Sequence, residues 1–244
     1  MNLSKKEIDQ FIKQPNPKWL PDGALPGISL QGADLQRAFL RGINLQGANL
    51  VVANLTKAEL QNSNLRDVNL AGANLGGANI KGAHLESANL GDANLEDANL
   101  EEAHLEGANM KEVYLQRANL SGAFLIGTIL KEAFLNGTNF TNAHLQNAEM
   151  QESWLADALL QGANLAGTHL ERAHINHNDL SGINFQDSHL EGADFSGANF
   201  NGANLLGTSL LGCNLNYANL KNAKVTKEQL GQAQSLDHAI LPDD

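Results

Sequence analysis

A single cysteine, Cys213, stands in 244 residues, so neither an internal disulfide nor a cysteine-built zinc site is available. Aromatic residues are scarce at 5%, too few for the ring-rich core of an ordinary globular domain. No apolar run approaches the ~18 residues that a membrane span requires. The segment Met1-Asn2-Leu3-Ser4-Lys5-Lys6-Glu7 is charged and lacks the apolar stretch of a secretory signal, so a cytoplasmic protein with no membrane partner is expected. Basic residues are outnumbered, 16 Lys and Arg against 27 Asp and Glu, for a net charge of −11. That balance excludes a direct grip on a nucleic-acid backbone, because phosphates would be repelled.

Leucine, alanine, asparagine and glycine take the place of what is missing, and they recur with a period of five. From Leu30 to Leu220 every fifth residue is large and apolar, 39 positions of which 31 are Leu. The others are Ile80, Met110, Phe140, Met150, Ile175, Phe185, Phe195 and Phe200. Two residues before each (position i−2) stands Ala, or sometimes Ser or Thr, and between the two a polar residue, most often Asn.

A period of five fits neither regular structure. Five residues advance an α-helix by a net ~140°, scattering the leucines around its surface. In a flat strand, residues five apart point to opposite faces. One buried face survives only if the chain turns a corner in each repeat. A short extended segment then holds i−2 and i inward, and four sides close a coil after twenty residues. Coils stacked about 4.8 Å apart make a rod roughly 45–50 Å long. In so narrow an interior Leu fills the centre and Ala the wall, which predicts a core too narrow for rings. Ile43, Val68, Val113, Asn178 and Ile183 break the small-residue rule at i−2 and predict local widening, with Asn178 hydrogen-bonded if buried. Asn at i−1 and Gly at i+2 suit tight corners.

The motif in Ala33-Asp34-Leu35, Ala48-Asn49-Leu50 and Ala193-Asp194-Phe195 resembles that of the pentapeptide-repeat family, particularly its cyanobacterial members. The resemblance implies an all-β solenoid, a right-handed quadrilateral β-helix of about ten coils. It also implies a protein without an assigned biochemical role in most cases. Three segments are expected: a helical cap over 1–25, the β-helix over 26–225 and a helical cap over 226–244. Ser4-Lys5-Lys6-Glu7 and Thr226-Lys227-Glu228-Gln229 both read as capping boxes, and Leu236, Ile240 and Leu241 could close the last coil. The C-terminal segment could instead mediate dimerisation, so a monomer or an end-to-end dimer is expected.

Residues twenty apart should form columns. One i−1 column places Tyr114, Phe134 and Trp154 on consecutive coils, as a stacked ladder that stiffens the rod or as a partner-binding stripe. An i+2 column reads Asp92, Glu112, Glu132 and Glu152, with Lys111 and Lys131 beside it to offset the repulsion. Acidic residues over 86–112 form a belt around the rod. Histidines also align: His84 and His104 with Phe124 and His144, and His169 with His189. Such a pair supplies two ligands where metal binding needs three or four, so no metal is expected. Cys213 reads as a small buried filler.

Catalytic enzymes on other β-helices bring long loops or subunit clefts, and this repeat has neither. A rod without catalytic residues or cofactor, presenting a face to another protein, is therefore expected. The alternative, raised by the family resemblance and the acidic charge, is a DNA mimic that modulates DNA gyrase or topoisomerase.

Overall fold

The computed structural model describes residues 25–242, together with Gln10 and Pro15. The N-terminal helical cap expected over 1–25 lies outside the described residues. From Ser29 onward each i−1 residue but Leu159 makes a parallel bridge to the residue twenty positions later, Ser29 to Asn49, Asn49 to Asn69, and so on to Asn204 and Lys224. Four five-residue segments therefore make one turn. Leucine and its i−2 partner face inward, and i−1 pairs with the coils on either side.

The corners explain how five residues suffice. Each inward Leu carbonyl accepts the N–H three residues on, as Leu55 does from Ala58 at 2.9 Å. The third residue of this turn must take positive φ, as in a type II turn. Every i+2 residue from 27 to 222 does so, with φ between 50° and 74°, whether or not it is glycine. The i−1 asparagines support the corner, since Asn49 Oδ1 accepts the Val51 N–H at 3.1 Å. They also bond along the rod: Asn119 Nδ2 donates to Asn99 Oδ1 (3.3 Å), and Asn139 Nδ2 to Asn119 Oδ1 (3.0 Å). Such ladders add side-chain hydrogen bonds parallel to the backbone ones.

The core is one continuous column of Leu and Ala, nearly all fully buried. Buried hydroxyls are satisfied locally, as Ser63 Oγ is by the Leu60 carbonyl at 2.7 Å. The expectation of a core too narrow for rings is corrected here, because Phe140, Phe185, Phe195 and Phe200 are all fully buried. The last three fit by meeting edge-on or tilted, with centroids 5.1–6.4 Å apart. Ile43, Val68, Val113 and Ile183 are also buried, and their turn bonds lengthen to 3.2–3.3 Å without breaking the coil.

Asn178 does more. Its Nδ2 donates to the carbonyls of Leu155 (3.0 Å) and Ala158 (3.2 Å). Among the described residues the regular backbone bonds from Asp157, Leu160, Gly162 and Asp179 are not made, and no bridge joins Leu159 to Asp179. The face opens where the larger side chain enters.

After Lys224 the register changes. A short helix α1 spans Lys227–Leu230, started by Thr226 in a reciprocal capping box with Gln229. Gln229 Nε2 also donates to the Leu205 and Thr208 carbonyls (2.7 and 2.8 Å), tying α1 to the coil beneath. Beyond α1 the bridges span twenty-one residues, Asn214 to Ser235 and Asn219 to Ile240. Leu236 packs against the core, but Ile240 and Leu241 are 57% and 49% exposed. Ile240 bridges Asn219, which puts it at an outward i−1 position rather than over the last coil.

Candidate functional site

Bridges hold Tyr114, Phe134, Trp154 and His174 in one vertical column. Tyr114 stacks on Phe134 with centroids 4.9 Å apart and planes within 7°. Trp154 stacks on His174, at 3.9 Å and 13°. Among the described residues no ring contact joins Phe134 to Trp154, so the column consists of two stacked pairs. Tyr114 and Trp154 remain 43% and 45% exposed.

The acidic column runs along the corner beside these rings, because each i+2 residue precedes the next i−1 residue by two. Glu112, Glu132, Glu152 and Arg172 form one wall of a trough of about 490 Å³, and Phe134, Trp154 and His174 line it too. Tyr114 and Asp92 border a separate hollow of about 270 Å³ with Asn74 and Asn94. The predicted site residues thus divide between two concavities, and Arg172 and His174 join them. Lys111 Nζ reaches Glu112 (3.0 Å) and Glu132 (3.2 Å), and these hydrogen bonds, first that to Glu112, raise its pKa. Arg172 pairs with Glu152. Lys131 turns instead to Glu149, 2.6 Å away in another column.

The acidic belt is paired as well. Lys81 meets Glu101 at 2.9 Å, and Arg117 meets Asp97 at 2.8 Å and Glu96 at 2.6 Å. The hydrogen bond from Arg117 holds the Asp97 carboxyl below its ordinary value.

The histidine columns carry a pattern that column-by-column reading missed. The tripeptide His-Leu-Glu occurs at 84–86, 104–106, 169–171 and 189–191, in two pairs twenty residues apart. In each, the His Nδ1 faces the carboxylate two residues on, at 3.1, 3.4, 3.1 and 3.6 Å. The rings of each pair stack, His84 on His104 at 4.6 Å and His169 on His189 at 4.5 Å. Each stack therefore gathers imidazoles and carboxylates together. In the first stack the Arg66 guanidinium lies 2.8 Å from His84 Nδ1 and 2.9 Å from Glu86 Oε1. Burial alone would raise the Glu86 pKa, but its own backbone N–H, His84 and Arg66 outweigh burial and lower it. Glu191 is likewise lowered against burial, by the Ser209 hydroxyl, its own N–H and His189.

Cys213 Sγ is buried and donates to the Leu190 carbonyl at 2.8 Å. Burial pushes its pKa up to about 12, which suits an inert filler. Among the described residues no helix is long and apolar enough to cross a membrane.

Comparison with known proteins agrees with the architecture. A family model described as pentapeptide repeats matches in overlapping segments over 25–86, 88–192 and 193–227. Among solved structures, the chain is 28% identical to HetL, a pentapeptide repeat protein involved in heterocyst differentiation regulation from the cyanobacterium Nostoc sp. strain PCC 7120. That match covers 98% of this chain and 94% of HetL, with a TM-score of 0.59. Rfr23, a pentapeptide repeat protein from the cyanobacterium Cyanothece 51142, matches at 25% identity over 59% of this chain and 63% of its own, with a TM-score of 0.14. QnrB1, a plasmid-mediated fluoroquinolone resistance protein, matches at 16% identity over 90% of this chain and 91% of its own, with a TM-score of 0.34. No significant match was found among curated protein sequences. With the five-residue period, the twenty-residue bridges and the matched repeats together, the chain belongs to the pentapeptide-repeat family and is a right-handed β-helix.

Proposed function

We propose that this protein is a non-enzymatic rod of about ten coils that presents the face bearing Tyr114, Phe134 and Trp154 to another protein. The trough beside Trp154 carries the reading. It sets the exposed Trp154 ring, of a kind that favours partner contacts, and the half-buried Phe134 next to carboxylates that would orient a partner's polar groups. The uniform five-residue corners support a role without catalysis, because they build no long loop to shelter reacting groups from water. The alternative role as a DNA mimic acting on gyrase draws on the net charge of −11. The pairing of the belt carboxylates with Lys81, Arg117 and Arg66 counts against it, since it neutralises charges that would have to imitate phosphates.

Affinity capture comparing the wild-type chain with the Tyr114→Ser, Phe134→Ser, Trp154→Ser triple variant tests the proposal. A specific protein held by the wild type and lost by a folded triple variant is expected. Retention of every partner would remove the stripe as the site. Unaltered gyrase supercoiling at micromolar protein would dispose of the alternative.

A further inference from the structure

The two His-Leu-Glu stacks differ in their neighbours, with Asn64 and Phe124 flanking the first and Glu149 and Ser209 the second, and above all in one cation. Arg66 occupies the i+1 position one coil below Glu86, and the equivalent residue below Glu171 is Gln151. The Arg66 guanidinium reaches both the His84 ring nitrogen and the Glu86 carboxylate. The first stack thus shows what this arrangement holds: a positive group lodged between an imidazole and a carboxylate. Among the described residues the ion pairs of Glu171 and Glu191 are those with His169 and His189.

We infer that the second stack is a binding site for a divalent transition-metal ion, Zn²⁺ being the best match for imidazole and carboxylate ligands. The ligands are His169, His189 and Glu171, whose donor atoms lie within 4.8 Å of one another. Tetrahedral zinc needs them roughly 3.4 Å apart. The two rings must tilt toward each other to close that gap, and both histidine side chains, 38% and 50% exposed, have room to do so. Water completes the coordination, since Glu191 lies outside the set, 3.6 Å from His189 Nδ1 and bonded to the Ser209 hydroxyl. Glu86 and His104 form the matching set of the first stack with His84, where Arg66 already supplies the positive charge.

The test exchanges the two neighbours in tag-free, full-length protein titrated calorimetrically with Zn²⁺ at pH 7.5. The wild type is expected to bind one ion. Gln151→Arg should weaken binding at least tenfold by placing a guanidinium where Arg66 sits in the first stack. His189→Gln should do the same without adding charge. Arg66→Gln should raise the stoichiometry to two. Thermal melts without metal check that each variant folds, and an outward substitution on this surface should leave them nearly unchanged. A wild type that binds no Zn²⁺, or Gln151→Arg and His189→Gln chains that bind as the wild type does, would overturn the site. An unchanged stoichiometry in Arg66→Gln would overturn the equivalence of the stacks on which it rests.

Discussion

Asn178 Nδ2 bonds to the Ala158 carbonyl at 3.2 Å, and that carbonyl is the acceptor the ladder's register assigns to the Asp179 backbone N–H. A side chain has displaced the backbone from its own partner. Asn178 Oδ1 is meanwhile buried without a hydrogen-bond partner. Replacing Asn178 by Ala should remove the orphan oxygen and let the Asp179 bond form, stabilising the protein by about 1 kcal/mol. Urea denaturation would show it as a higher midpoint, and a lower midpoint would mean that the wedge is net stabilising.

Val52 takes φ of 50° at a corner, an unfavourable value for a β-branched residue, and its side chain is 58% exposed. Val52→Gly relieves that strain and sacrifices little packing. A gain of about 1 kcal/mol is expected, seen as a rise of a few degrees in Tm.

Leu120 lies in the middle of the column, fully buried. Coils above and below keep the wall from collapsing inward, so Leu120→Ala should leave a cavity and cost about 3 kcal/mol in chemical denaturation.

Cys213 should resist a thiol reagent at pH 8 in the folded state and react fully once denatured. Its folded pKa is about 12 against an ordinary 9.0. Between those values the unfolded thiol gives up a proton that the folded one keeps. Its contribution to stability is therefore present below pH 9 and lost as pH rises toward 12. Cys213→Ala should lose less stability over that window than the wild type.

The period from Leu30 to Leu220 was enough to determine the coil, because no other backbone path keeps residues five apart on one buried face. Asn178 could be marked as a disturbance for the same reason: only a small side chain fits at the wall. The capping box at Thr226 was equally legible, since it depends on residues within one helical turn. The outer surface was not legible in this way. Columns predicted which residues share a face, but side chains reach sideways and between coils. Only the tertiary structure therefore paired Trp154 with His174 rather than Phe134, and turned Lys131 toward Glu149. It alone set Arg66 against His84 and Glu86, eighteen and twenty residues away in sequence but one coil apart in space.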